Sequence, residues 1–341
     1  MRSVKFNARF WVAATLILII LVIALIGPIV VSTDPNTVIG GLYDRPDGSR
    51  LAMALGTDNE GQSVLSNLVV GTRTSLLVGL IAGLIATMIG LVIGLVAGYR
   101  GGIVDDILAG FTNIALSIPA IVVLILLSVA VGSASSISTA VVIGVTSWPW
   151  LARAVRAQAS SIRVREHIDV ARLSGARSIS ILAWDVLPYL LSYVVMAFVL
   201  QMVGGILAEA TLSLLGLGAS GSTSLGIMLY WALVWGSVRV GALWAFLPPT
   251  LMLTLIAFAF FLLQSSLTEI FNPRLRQGKA PKKKRPAPKG PAPVASSSGT
   301  AVETSEPGSQ PGSGVGTEKE SELVRRVSPS VSRATPKGAT P

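Results

Sequence analysis

Apolar and polar positions along this chain come in long blocks rather than short periods. Residues 10–31 are uncharged and apolar for 22 positions, enough at 1.5 Å per residue to cross the roughly 30 Å of a bilayer's hydrocarbon. A cleaved leader is the competing reading, but its apolar core runs only about 7–15 residues and ends at a small-residue cleavage site. Residues 74–99 form a second uncharged run. Residues 107–152 carry no charge for 46 positions, far too long for one helix. The small polar stretch 132–138 divides that run into two spans joined by a short turn. Residues 186–208 and 240–268 complete a set of six. Residues 225–238 are also apolar, but 14 positions suit a re-entrant or interfacial piece better than a span. The pattern predicts an all-α, polytopic membrane protein.

Within the second run, Gly79 and Gly83, then Gly90, Gly94 and Gly98, recur at intervals of four. Glycines so spaced share one helix face and let a neighbouring helix come close. Tight packing and a sliding helix are both compatible with that pattern. Between the fourth and fifth spans lies a polar stretch, 163–188. Val170, Leu173 and Ala176 have helical spacing in its first part; Ile179, Leu182 and Val186 have it in the second. Gly175 between them suits a helix stop, and Pro188 suits the first turn of the next span. Such a segment either docks into a groove on a soluble partner or lies as an amphipathic loop at the membrane surface.

Composition agrees with lipid as the solvent: 51% of residues are hydrophobic and 13% charged, against about 25% charged in soluble domains. The chain has no Cys and a single His, His167, which excludes disulfides, thiol catalysis and His-cluster metal sites. The net charge is +10, of which +6 lies in residues 278–341. With six spans and both termini inside, 23 of the 27 Lys and Arg face the cytoplasm and 4 face outward, as the positive-inside rule requires. The expected organisation is therefore a cytoplasmic N-terminus (1–9), a first span (10–31), an outer loop (32–73), a five-span core (74–276) and a basic tail (277–341). That tail is rich in Pro, Gly, Ser and Lys and has no period, which predicts disorder. Its Lys282–Arg285 run reads either as a lipid-headgroup contact or as a solvated anchor. The basic excess reports sidedness and points to no nucleic acid.

No G-x-x-x-x-G-K-[ST] phosphate loop occurs, nor H-E-x-x-H, nor G-x-S-x-G. The chain alone is not expected to hydrolyse ATP. Ion-coupled carriers place acids or His inside the membrane, and these spans hold almost none. Glu209 flanks the fifth span, and Asn113, Gln201 and Gln264 are the main large polar groups within spans. Asn113, Gln201 and Glu209 are candidates for a pathway or gate; interhelical hydrogen bonding is the alternative.

Several motifs together resemble one family. Asp169-Val170-Ala171, then Gly175, then Leu187-Pro188, resembles the EAA loop of ABC importer permeases, with Asp in place of Glu. Leu55-Gly56-Thr57-Asp58 with Gly61, Gly71-Thr72-Arg73-Thr74-Ser75-Leu76, Gly98-Tyr99-Arg100-Gly101-Gly102 with Asp105, Glu209-Ala210 through Gly218, and Asn272-Pro273-Arg274-Leu275-Arg276 are similar to the dipeptide/oligopeptide/nickel subfamily, second-permease type. Gln62-Ser63 stands where Arg-Asp is usual.

The resemblance implies a type I importer permease in a prokaryotic inner membrane, pairing with a homologous second permease. It implies two ATPase subunits, which carry ATP and Mg, and an extracytoplasmic substrate-binding protein, with membrane lipids around the bundle. No cofactor belongs to this chain. Asp169, Ala171, Gly175, Ala176, Ile179, Leu182, Leu187 and Pro188 would couple the spans to the ATPases. The implied cargo is a dipeptide or oligopeptide, with oligosaccharides or nickel as alternatives. An ion-coupled carrier and a non-transporting scaffold are the rival classes.

Overall fold

A computed structural model describes residues 8–132, 135–219 and 221–271. The expected disordered tail, the Asn272–Arg276 motif and the first seven residues lie outside the described residues. Among the described residues, ten α-helices follow one another: α1 (Ala8–Val31), α2 (Val64–Arg100), α3 (Gly102–Ser117), α4 (Ala120–Val131), α5 (Ser136–Arg163), α6 (Glu166–Leu173), α7 (Ser178–Ile181), α8 (Leu187–Leu214), α9 (Leu225–Val234) and α10 (Leu243–Phe271). A 3₁₀ turn at Leu51–Met53 precedes α2, and a π turn at Leu182–Val186 joins α7 to α8.

Helix α2 is the axis of the bundle. It runs for 37 residues, about 55 Å at 1.5 Å per residue, and starts ten residues before the charge-free run. Ser63 sets that start: its hydroxyl accepts from the Ser66 N–H at 3.1 Å, satisfying an otherwise orphaned donor. The stretch around residues 59–71, which reads as a short surface helix, is therefore a turn followed by the first two turns of α2. The glycine stripe faces two neighbours. A Cβ on Gly79 or Gly83 would meet Ile206 or Met202 of α8, and one on Gly94 would stand 2.4 Å from the Ala152 carbonyl oxygen of α5. A Cβ on Gly98 would likewise crowd the Arg156 carbonyl oxygen, and one on Gly90 would crowd Leu151 less tightly, at 2.9 Å. Near-contact of backbones along both partners is the tight-packing reading of this stripe.

The buried core follows the same axis in three clusters. One joins α1, α2, α8 and α10 around Ile20, Leu68, Ile206 and Ile256. A second joins α2, α5, α6 and α8 around Tyr99, Leu151, Ile168 and Leu190. The third packs α2, α4 and α5 around Val78, Leu124 and Ile143. Helix α1 lies antiparallel to α10, and Arg9 at its start pairs with Glu269 near the end of α10 at 3.0 Å.

Two elements depart from the sequence pattern. The expected third span is two helices, α3 and α4, bent by 85°. Pro119 explains the break: the residue before a proline is pushed out of the α region, and Ile118 sits at φ −89°, ψ 130°. The expected break before the fifth span is absent. Ser178–Leu214 is one continuous run of 37 residues, so the second half of the polar segment is the first turns of the long helix. In a regular helix the Pro188 ring would strike the carbonyl four residues back. The wider π turn, with the Leu187 N–H donating to the Leu182 carbonyl, relieves that clash while keeping the helix unbroken.

Among the described residues, four helices are long and apolar enough to cross a membrane, or five if the bent pair counts as one span. Helix α5, at 28 residues, is long enough but carries Thr146, Ser147, Pro149, Arg153 and Arg156.

Candidate functional site

The polar segment between α5 and α8 is built to be held on one side and open on the other. Helix α6 has Glu166 and Asp169 in its first turn and Arg172 in its last, the distribution that a helix dipole favours. It stops in a Schellman motif: the Gly175 N–H donates to the Arg172 carbonyl at 3.0 Å and the Ala176 N–H to the Ala171 carbonyl at 3.2 Å. Gly175 has φ +78°, the left-handed conformation this stop requires. Nothing lies within 4 Å of where its Cβ would be.

Ile168 and Ile181 are fully buried and pin the segment to Tyr99, Val155, Ala159 and Ile162 at the ends of α2 and α5. Arg172 pairs with Asp169 at 3.1 Å and sets its guanidinium 5.5 Å from the centre of the Tyr99 ring. Arg165 lies at the same distance over the Tyr189 ring, and His167 packs against that ring at 5.2 Å. Opposite these anchors stand exposed apolar side chains. Leu173 is 88% exposed, Ile179 78% and Val170 65%. Trp184, in the π turn, is equally open.

The sequence-expected residues thus divide. Asp169, Gly175, Ala176, Ile179 and Pro188 are exposed, whereas Ala171, Leu182 and Leu187 are half-buried against the anchors. Ile168 and Ile181 are the residues sequence reasoning missed. Part of the signal was present: Ile168 is a large aliphatic between His167 and Asp169, two positions before the stripe at Val170, whereas Ile181 is adjacent to Leu182 and was hidden in the apolar run 181–184.

The expected pathway residues are not gathered in one place. Gln201 on α8 donates to the Ser147 carbonyl of α5 at 2.9 Å, and Asn113 on α3 accepts from Arg153 at 2.8 Å. Both are interhelical hydrogen bonds. Glu209 is buried and accepts from three serines: Ser213 at 2.8 Å, Ser224 at 2.6 Å and Ser75 at 3.2 Å. Ser224 also caps α9, accepting the Ile227 N–H at 3.1 Å, and Ser75 accepts the Leu225 N–H at 3.2 Å. One carboxylate therefore fastens α2, α8 and α9 together. Gly216, at φ +77°, ends α8 in a second Schellman stop.

A further tie was not anticipated as such. Arg156 on α5 grips Asp105 in the first turn of α3 through two guanidinium nitrogens, one at 2.9 Å. At the opposite end of α2 from α6, the turn at Asp58 is wound on its carboxylate, which accepts the N–H groups of Glu60 and Gln62 at 2.9 Å and the Asn67 side-chain amide at 3.0 Å. Trp244 at the start of α10 donates to the Thr57 carbonyl at 3.2 Å. Burial, and secondarily the charge of Asp58, raises the Tyr43 phenol above its usual 10.0. Among the described residues, no three His, Cys, Asp or Glu side chains group as metal ligands.

A family model described as "Binding-protein-dependent transport system inner membrane component" matches residues 90–277. A dipeptide transport system permease protein of Bacillus subtilis is 31% identical, over 81% of this chain and 85% of its own length. A dipeptide transport system permease protein of Haemophilus influenzae is 29% identical, over 80% of this chain and 93% of its own. Among solved structures, an inward-facing methionine ABC transporter is 23% identical with a TM-score of 0.46, covering 60% of this chain and 94% of that one.

Proposed function

The chain belongs to the family of binding-protein-dependent transport system inner membrane components, and from that premise we propose that it imports short peptides as one of two permeases in an ATP-driven complex. It is a multi-pass protein of the inner membrane, and its family is a transport component rather than an ATPase. The proposed topology is six spans with both termini inside: α1, the bent α3–α4 pair with α2, then α5, α8 and α10. A homologous second permease would complete the pore. Two ATPase subunits would bind ATP and Mg, and a binding protein would deliver the cargo.

One observation carries the reading. The segment from α6 to the π turn is locked to α2, α5 and α8 by Ile168 and Ile181, yet offers Val170, Leu173, Ile179 and Trp184 outward. A face so held can transmit force: a partner gripping it pulls on the ends of three long helices at once. ATP binding closes the two ATPases, the gripped segment moves with them, and α2, α5 and α8 follow as a packed unit. The pore then alternates between facing in and facing out. Asp169 orients Arg172 within this unit, and Gly175 lets the chain turn between its two halves. The dipeptide names of the relatives support the choice of cargo.

The test is reconstitution. The chain is purified with its second permease and ATPase subunits, placed in liposomes, and supplied with binding protein and a labelled dipeptide. Uptake is expected only with ATP inside and binding protein outside. Transport by this chain alone, or uptake that survives ATP removal and collapses with an ionophore, overturns the proposal.

A further inference from the structure

Helix α10 carries an exposed apolar stripe: Leu243, Leu247, Leu251, Phe258 and Phe261 recur at helical spacing and face out. Helix α1 packs along it and buries only Ala13, Ile20, Ala24 and Val31 of its 24 residues. Helices so apolar and so little covered have lipid as their surroundings. The exposed apolar positions do not stop where α10 starts. Leu233, Val234, Trp235, Val238 and Val240 are exposed as well, so the same kind of surface runs from the end of α9 through the connection into α10.

The backbone of that connection is closed on itself. Seven N–H groups between Trp235 and Ala242 donate to carbonyls three to five residues back, at 2.8–3.3 Å. Gly236 at φ +62° and Gly241 at φ +78° supply two left-handed turns. Each ends in a Schellman bond, from the Ser237 N–H to the Ala232 carbonyl at 2.9 Å and from the Ala242 N–H to the Ser237 carbonyl at 2.8 Å. Ser237 and Ala242 are buried, and the Ser237 hydroxyl also donates to the Ala232 carbonyl at 2.8 Å. A surface loop in water can leave its N–H groups to the solvent. Against acyl chains each unsatisfied group costs several kcal/mol. A turn that bonds its own N–H groups, tucks in its serine and points valines and a tryptophan outward meets the second condition.

Charge points the same way. Arg239 is the only charged residue between Glu209 and Glu269, and it is exposed. A long cationic side chain among exposed apolar residues reaches a phosphate while its stem stays in the acyl layer. Tryptophan favours that same boundary. Trp244, next in the chain, donates to the Thr57 carbonyl before α2, which puts this turn at the end of the bundle away from α6.

We propose that residues 233–243 form a foot seated at the phospholipid headgroup boundary of the leaflet away from α6. Val238 and Val240 enter the shallow acyl layer, Trp235 lies at the boundary, and Arg239 meets a lipid phosphate. The inference is independent of the cargo.

The chain has no Cys, so Val240→Cys carries a single nitrobenzoxadiazole label in a complete complex whose partner cysteines are replaced by serine. Ser49→Cys, in the loop before α2, is the water reference, and Leu251→Cys, in the α10 stripe, is the acyl reference. The liposomes are phosphatidylethanolamine and phosphatidylglycerol, with a nitroxide on the headgroup or at the acyl terminus. The Val240 label is expected to emit to the blue of the Ser49 label and to be quenched more by the headgroup nitroxide than by the acyl one. The Leu251 label should show the reverse preference. Val238→Cys should repeat the Val240 result, which guards against a disturbance at one site. A Val240 label that emits like the Ser49 label overturns the inference. A blue-shifted label that neither nitroxide quenches also overturns it, since the second permease would then cover the face. Quenching that disappears when loaded binding protein is added overturns it too, because the turn would then be that protein's seat.

Discussion

Ser224 donates to Glu209 at 2.6 Å while its oxygen caps the N-terminus of α9. The bond makes a short helix depend on a carboxylate one helix away. Glu209→Ala would leave the hydroxyls of Ser75, Ser213 and Ser224 without their acceptor. The expected cost is about 2–3 kcal/mol, seen as a melting temperature several degrees lower in the purified complex. Glu209→Gln keeps an oxygen for Ser213 and Ser224 and offers an N–H to Ser75, whose hydroxyl can reverse. It should cost about 1 kcal/mol or less. Equal melting temperatures for the two variants would show that the three hydrogen bonds do not hold α9.

Close approach, rather than conformation, fixes Gly94. A methyl group there would lie 2.4 Å from the Ala152 carbonyl oxygen, a backbone atom that cannot swing away. Gly94→Ala is expected to separate α2 from α5 and destabilise the bundle by about 1–3 kcal/mol, the usual range for overpacking. Gly110→Ala is the control, since nothing lies within 4 Å of its Cβ position. Thermal unfolding of the two variants should differ in that order.

These two sites show what the sequence could and could not say. The spacing of Gly79 to Gly98 declared a tight face, but not that it serves two partners, α8 for its first half and α5 for its second. That division depends on the twist between long helices, which no local pattern encodes. Glu209 was legible as an acid flanking the fifth span with a motif around it, but its burial was not, nor were its partners Ser75 and Ser224, because they reach it from distant stretches. Pro119 could have been read as the break in the expected third span, but the apolar run across it masked the signal. In 163–188, periodicity picked out Val170, Leu173 and Ile179, which the structure leaves exposed, and passed over Ile168, the buried anchor.

Gly175 differs from Gly94 in having room but an unusual φ, +78°. A β-branched residue there is strained, by roughly 1–2 kcal/mol, and the strain falls on the Schellman stop rather than on the core. Gly175→Val is expected to insert into the membrane normally but to lose ATP-coupled uptake. Gly175→Asn, which tolerates the left-handed region, should keep most of it. Normal uptake in the Val variant would contradict the lever.

Arg156 and Asp105 test a different kind of tie. Their pair is partly exposed, and such pairs contribute about 0–1 kcal/mol. Asp105→Asn should therefore leave the melting temperature almost unchanged. Its effect should be local: amide exchange in the first turn of α3 is expected to quicken about two- to fivefold, the rate equivalent of that energy. Exchange that spreads to α5 would assign the pair a larger role.

Leu173 offers the most direct view of the docking face. Its side chain is 88% exposed and makes no part of the buried core, so Leu173→Glu should neither unfold the chain nor alter its insertion. If the face receives an ATPase subunit, a carboxylate pressed into that apolar contact has no partner and must be desolvated. Desolvation of an unpaired charge costs several kcal/mol, so co-purification of the ATPases should fall at least tenfold. Ile168→Glu, five residues away but fully buried, should instead destabilise the bundle and lower the yield of the permease itself. The two variants thus separate docking from folding. Full ATPase retention by the Leu173 variant, with uptake intact, would remove this face from the coupling contact.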